Sequence, residues 1–456
     1  MSPLNAWAFS FACSIGWAAF VMPGAYFLPV TGFWGSILGF VIAAVSISVI
    51  ALNYHFLANN HEGPGDIYRL VRLSVSRESG FVAAWSMCIS YLCCFALNAR
   101  ALAMLLRTVL EEITGYQFHV YLIAENTLLI DAVIIIISLL VFGQLNIHGI
   151  RQIARIQTVG ALVLLGGCII MLVAAWSAGY ESASIPVLTE QPKEQLLSGF
   201  MAVFILTPWA YVGFDSLSKV HQAITFPKKR LGTIMIIAIL CVTFVYVGNI
   251  LTAVRGIPGD ASSWSAHLNL ISQMPGASAY PVAIAAKKAM GRPGTLVFYL
   301  SCICAAVTGL VGFSSSVSRL IFQMAHDNVL PRSIAKIHPK YHTPRNAVWT
   351  IVCIAAALIV LLNSFSFIEE LASFATSVGF GLVSFSALRT AIHSKKRAFM
   401  ITGALGALIC LLWLFFMLVR ISGLNTTISK QAIGSIAIWA FLGIATYCVF
   451  NRKEKS

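Results

Sequence analysis

Charge is scarce in this chain. Asp, Glu, Lys and Arg make up 10% of its 456 residues, where a soluble domain carries about 25%. Acidic residues are scarcer still, with 16 Asp and Glu against 30 Lys and Arg. No polar stretch is long enough for a separate soluble domain, so one polytopic domain over residues 1–456 is expected. Also missing are a Gly-rich phosphate loop, a nucleophile elbow and a metalloprotease motif, which argues against an enzyme. The ten His form no metal-ligand pattern: His338 and His342 are four apart, but Pro339 stands between them in a basic loop. His221, at the inner end of the sixth span, is a minor candidate for pH sensing. All eleven Cys fall within apolar stretches rather than in loops, which excludes a disulfide framework and reads them as small apolar side chains. Residues 1–5 hold no Lys or Arg and the apolar run after them is too long for a signal-peptide core, so the first span is expected to stay in the mature protein.

What is abundant is apolar sequence. Hydrophobic residues make up 59% of the chain and the mean hydropathy is +0.85. A membrane-spanning helix needs about 20 mostly apolar residues. Twelve such stretches are visible, at roughly 6–28, 33–57, 81–106, 122–146, 156–178, 198–220, 232–254, 295–323, 347–363, 366–390, 399–420 and 432–450. The ninth is the shortest. The loop at 254–294 has room for a short helix near Ala279–Met290. The fold class is therefore all-α integral membrane.

The formal net charge of +14 does not mean a nucleic-acid partner, because its distribution is one-sided. With the N-terminus inside, 21 Lys and Arg fall in cytoplasmic loops and the tail, eight fall outside, and Arg100 lies within a span. That asymmetry orients a membrane protein with both termini cytoplasmic. A plasma membrane is expected, the bacterial inner membrane in particular.

Two spans are interrupted at matching places. Span 1 contains Ile15-Gly16-Trp17-Ala18-Ala19-Phe20-Val21-Met22-Pro23-Gly24, and span 6 contains Pro208-Trp209-Ala210-Tyr211-Val212-Gly213-Phe214-Asp215. Gly adds backbone freedom and Pro removes an N–H donor. Inside a bilayer, broken backbone survives only where protein covers it or a cavity receives it. Paired breaks in the two halves of a chain are the sequence pointer to a transporter's binding site. Ten spans divide into two groups of five, 6–178 and 198–390, with the second entering from the opposite side. This makes a 5+5 inverted repeat, followed by helices 11 and 12 over 399–450.

Three ordered motifs resemble the amino acid–polyamine–organocation (APC) superfamily of permeases, which have the leucine-transporter-type inverted-repeat fold. In span 1, Ile15, Gly16, Phe20, Pro23 and Gly24 match the family's I-G-S-G-I-F-x-x-P-G, while Trp17, Ala18 and Ala19 replace Ser-Gly-Ile. In span 6, Trp209-Ala210-Tyr211-Val212-Gly213-Phe214-Asp215 matches its aromatic–x–aromatic–x–G–F–acid pattern, with the basic Phe226-Pro227-Lys228-Lys229-Arg230 beyond. After span 8, Ser318-Arg319, Met324-Ala325-His326-Asp327-Asn328-Val329-Leu330-Pro331 and Thr343-Pro344 follow the third motif in order and length.

The resemblance implies a secondary transporter of amino acids, a symporter or exchanger, working by alternating access. Spans 1, 2, 6 and 7 would rock against spans 3, 4, 8 and 9. It implies a substrate site formed by Ser14, Ile15, Gly16, Trp17 and Ala18 on one side and Pro208, Trp209, Ala210, Tyr211 and Gly213 on the other. The N–H end of one broken helix suits a carboxylate and the C=O end of the other suits an ammonium. Trp209, Phe214 and Phe313 are the implied gating aromatics. Ser314, Ser315 and Ser316 stand where sodium-coupled relatives place hydroxyl ligands, although Ser also serves close helix packing. No Lys occupies span 5, where some relatives carry one, so Na⁺, H⁺ or plain exchange stay open, and no other cofactor is expected. Trp17 either narrows the pocket or packs between helices.

Ionisable residues at membrane depth complete the candidates. Asp131 and Arg100 are expected to pair, with snorkelling of Arg100 as the alternative. Glu125 is read as near the outer end of span 4 and wet. Asp215 and Lys219 form an i, i+4 pair, read as structural ahead of a proton relay. Asp215 is the acid nearest the break and sits beyond it, which leans the substrate towards neutral amino acids over polyamines or other amines. A non-transporting membrane sensor is the remaining alternative. The sequence does not specify an oligomeric state.

Overall fold

A computed structural model describes all residues except 62–64, 124–126, 180–192, 220–223, 258–270, 272–278, 362–364, 423, 425 and 453–456. Glu125 and His221, both read from sequence above, lie outside the described residues. The described chain is almost entirely helical. Its one extended piece is a short antiparallel pair, Tyr121–Ile123 with Thr127–Leu128. Among the described residues, ten helices are long and apolar enough to cross a membrane.

Those ten and two shorter pieces account for the twelve expected spans. Span 1 is two helices, Pro3–Ser14 and Ala18–Met22, and the second runs through Pro23–Phe27 into Leu28–Asn60. Only a kink at Gly32 (φ 65°, ψ 179°) separates span 1 from span 2, a backbone conformation that a side chain resists. Span 9, Arg345–Leu361, has 17 residues and is short, as expected. The loop between spans 7 and 8 carries the expected helix, Pro281–Met290, against which span 1 is packed so closely that a Cβ on Gly24 would sit 2.8 Å from Pro281.

The helix ends have ordinary local causes. Ser76 accepts a hydrogen bond from the Ser79 N–H at 3.1 Å and so caps span 3 (Arg77–Thr114), which ends on left-handed Gly115. Span 3 is the central post: 83% of its apolar window is buried inside the protein. For span 12 (Lys430–Arg452) the figure is 6%, so this helix lies at the outside of the bundle, joined to span 3 by stacked Trp85 and Trp439. Span 5 (Ile150–Ser177) meets span 8 (Arg292–His326) through small residues, since a Cβ on Gly160 would overlap Thr308 and one on Gly167 would overlap Ser301. All eleven Cys are unpaired.

One expectation changes. Asp131 does not lie deep in span 4, because that helix is Leu129–Ile147 and Asp131 sits in its first turn. A carboxylate there is favoured by the free N–H groups and dipole of the helix start. It forms an ion pair with Arg107, at 2.9 Å, and the expected Arg100 attracts the same carboxylate electrostatically. The two arginines are seven residues apart on span 3, two turns on the same face. The later start of span 4 carries Asp131 to the level of Arg107.

Candidate functional site: the cavity between two broken helices

The lower half of span 1 stops at Ser14 and Ile15 turns extended (φ −98°, ψ 110°). Helical bonding resumes with Ala19 N–H to Gly16 O at 3.1 Å, followed by Phe20 and Val21 to Trp17 O. The N–H groups of Gly16 and Ala18 therefore have no backbone acceptor among the described residues. This is the donor-rich start of a helix. Asn249 clamps the piece above by donating to Ala19 O at 2.8 Å.

Span 6 breaks differently. Its first part, Lys193–Tyr211, contains Pro208, which withholds one N–H from the helix ladder. Val212 N–H still reaches Pro208 O at 3.1 Å. Gly213 then swings to φ 119°, and its N–H turns to the Asp215 carboxylate at 3.3 Å. The carbonyl of Trp209 loses the donor four residues ahead. The short helix Ser216–Lys219 resumes the span.

These two ends face one cavity of about 30 Å³. Of the implied site residues, Ser14, Gly16, Trp17, Ala18, Trp209, Ala210 and Phe313 line it, so the ends of both breaks and two of the three implied gating aromatics meet in a single place. The others stand back from it. Ile15 is buried. Tyr211 points its hydroxyl at Phe40 O (3.2 Å) and Thr243 (2.9 Å). Gly213 backs onto span 1, where an added Cβ would lie 2.7 Å from the Cys13 backbone. Phe214 packs below the break against Tyr54 and Phe380, with ring centroids 5.9 and 5.5 Å away. Pro208 shapes the helix without lining the space.

Sequence reasoning missed the contribution of span 3. Cys94, Leu97 and Asn98 form one wall, and Tyr246 of span 7 (Leu231–Gly256) joins them. Asn98 is buried, donates from Nδ2 to Cys94 O at 2.8 Å, and leaves Oδ1 without a hydrogen-bond partner. A Cβ on Gly16 would stand 3.4 Å from that oxygen. The signal was available: an Asn in the middle of an apolar span needs a partner.

The ion-coupling candidates lie one layer below. Ser316 donates to Ser216 at 2.7 Å, and Ser216 meets the Cys13 thiol at 3.2 Å. Ser314 bonds within its own helix to Val311 O, and Ser315 accepts from Arg319. Asp215 is fully buried, paired with Lys219 at 2.9 Å, and receives the Tyr91 hydroxyl. Lys219 also donates to that hydroxyl and lies 3.9 Å from the centroid of the Tyr91 ring. The expected i, i+4 pair is thus present, and it ties span 6 to span 3 beneath the cavity. Below it again, Asp66 caps the helix Ile67–Ser74 by accepting from the Arg69 N–H at 3.1 Å. Burial pushes the Asp66 carboxyl up to about 6. Among the described residues no group of three or more His, Cys, Asp or Glu is placed to hold a metal ion.

A multi-span helical bundle whose two broken helices meet over an internal cavity has the build of a membrane transporter. Comparison with known proteins bears this out. The amino acid permease family model matches residues 1–444, and the chain belongs to that family, whose members carry solutes and are not enzymes. It is 24% identical to the branched-chain amino acid permease BcaP of Bacillus subtilis over 96% of this chain and 90% of that protein. It is 23% identical to the methylthioribose transporter of the same organism, over 97% and 91% of the two chains. The glutamate/serine transporter AimA, also of Bacillus subtilis, is 21% identical over 76% of this chain and 63% of its own length.

Proposed function

We propose that the protein is a secondary active transporter of neutral amino acids, a symporter or exchanger in the plasma membrane with both termini cytoplasmic. The observation that carries this reading is the single cavity onto which both helix breaks open. The Gly16 and Ala18 N–H groups hold the substrate carboxylate. The carbonyl of Trp209 and Oδ1 of Asn98 take the ammonium. Trp209 and Phe313 close over the substrate.

Neutral selectivity rests on the cavity lining, which among the described residues contains no charged side chain. Asp215, the acid nearest the break, is committed to Lys219 and Tyr91 and has no free charge to offer a polyamine. A volume of about 30 Å³ holds water but not an amino acid, so loading requires the breaks to part. That fits alternating access, in which spans 1 and 6 move against spans 3 and 8. Trp17 lines the cavity and narrows it where relatives carry Ser. The long match to a methylthioribose transporter supports a second reading, an uncharged polar solute held by Asn98 and the same backbone groups.

The test is thermal stability of the purified protein against a panel of amino acids, amines and uncharged solutes, with sodium and pH varied. A ligand that binds only the folded state at one hundred times its Kd adds about 2.7 kcal/mol. A shift with neutral amino acids, lost in Trp209→Ala, is expected. A shift with diamines alone contradicts the neutral reading, and one with uncharged solutes alone selects the second.

A further inference from the structure

A second cavity, of about 100 Å³, lies where span 10 (Phe365–His393) begins, and it shares no lining residue with the first. Its polar wall comes from Glu369, Glu370 and Ser373 of span 10, Thr426 and Thr427 of the connection between spans 11 and 12, and Tyr26. Among the described residues no Lys or Arg lines it. Glu370 is fixed in place, since one carboxylate oxygen accepts from both the N–H (2.9 Å) and the hydroxyl (2.7 Å) of Ser429. Glu369 is only 7% exposed, and among the described residues it has no ion-pair or hydrogen-bond partner. Two hydroxyls on the same wall, those of Ser373 and Thr426, are each 1% exposed and also lack a partner.

A buried carboxylate without a counter-charge is costly, and so is a buried hydroxyl without a partner. Here three such groups line one space, every polar side chain on the wall presents oxygen, and the formal charge is negative. Oxygen-only walls of this kind suit hard cations and ammonium groups, which take several acceptors at once. The space is larger than one water and fits a partly hydrated ion or a primary ammonium head.

We propose that Glu369, Ser373 and Thr426, with Glu370 adding charge, form a site for a small monovalent cation, separate from the break cavity. On the orientation proposed above it opens towards the outer side, where Tyr26 joins it from the upper part of span 1. The shared chemistry is a compact positive charge, from an inorganic ion such as sodium or from the ammonium head of an arriving solute. The site is independent of which amino acid the break cavity takes.

The experiment is the melting temperature of the purified full-length protein at constant ionic strength. Sodium or methylammonium replaces the bulky N-methylglucammonium ion. A dose-dependent rise with sodium or methylammonium is expected. A response to sodium alone assigns an inorganic ion, and a response to methylammonium assigns an ammonium head. Glu369→Gln should weaken the response by about tenfold or more while leaving the stabilisation by amino acid intact, which separates this site from the break cavity. Ser373→Ala and Thr426→Val, which keep the charge, should each weaken it several-fold and carry the test if Glu369→Gln does not fold. No response in the unmodified protein overturns the proposal. So does a response that is unchanged in Glu369→Gln, or in both hydroxyl variants.

Discussion

The two helix breaks face the same cavity but are held by different means. The span 1 break is held by backbone geometry and neutral contacts, namely extended Ile15 and the Asn249 amide on Ala19 O. The span 6 break is locked by charge. Asp215 takes the Gly213 N–H, the Lys219 ammonium and the Tyr91 hydroxyl in a fully buried cluster. In span 1 the N–H groups remain for a ligand. In span 6 the Gly213 N–H is taken by the Asp215 carboxylate, which leaves the Trp209 carbonyl at the end of the helix above. A zwitterion needs that asymmetry.

The largest effect should come from unlocking span 6. Lys219→Met strands the buried Asp215 carboxylate, and a loss of about 3–5 kcal/mol is expected, read as a fall in melting temperature. The double variant Asp215→Asn with Lys219→Met should recover much of it. Equal loss in single and double variants would mean that the pair does not lock the break. No span 1 substitution that preserves backbone geometry should cost as much.

Next comes a matched pair of glycines. Gly213→Ala places a Cβ 2.7 Å from the Cys13 backbone at φ 119°, so the strain of about 1–3 kcal/mol is compounded by a backbone clash, and little folded protein should be recovered. Gly16→Ala adds a Cβ only 3.4 Å from Asn98 Oδ1. It should fold and lose ligand affinity several-fold. Similar yields of folded protein from the two would remove the contrast between the breaks.

A pH dependence follows from Asp66, below the span 6 cluster. Its folded-state value of about 6 lies above the ordinary 3.8, so folding favours its protonated form. The folded state is therefore penalised as pH rises from about 4 to 6, and the penalty levels off above that, at about 3 kcal/mol at most. Asp66→Asn should flatten this part of the stability–pH curve. An unchanged slope would assign it to another group. The smallest effect is expected from Trp17→Ser, which widens the cavity and should extend the range of ligands that shift the melting temperature, with stability little changed.

The breaks were legible because Gly and Pro inside apolar runs have few other uses, and because three motifs fall in family order. The short ninth span and the helix at Pro281–Met290 were legible from length and composition. Asn98 was legible only as a polar residue in need of a partner; its place at the site was not, because that depends on span 3 pressing its amide between Gly16 and Gly309, a three-helix contact with no local pattern. The Asp131–Arg107 ion pair was not legible because hydrophobicity does not fix a helix start: the apolar residues before Leu129 form a short extended pair, and the helix begins seven residues later than hydropathy suggests. Tyr211 and Phe214 sit in the right motif, yet side-chain direction around a break follows the turn at Gly213, not helical spacing.

The most direct test of the central claim compares three ligands on the purified protein: a neutral amino acid that stabilises it, the methyl ester of that amino acid, and the matching hydroxy acid. If the span 1 N–H groups hold a carboxylate and the span 6 carbonyl with Asn98 holds an ammonium, both analogues should bind at least about tenfold more weakly. Equal binding of either analogue would contradict the account, because one of the two breaks would then not be reading the ligand.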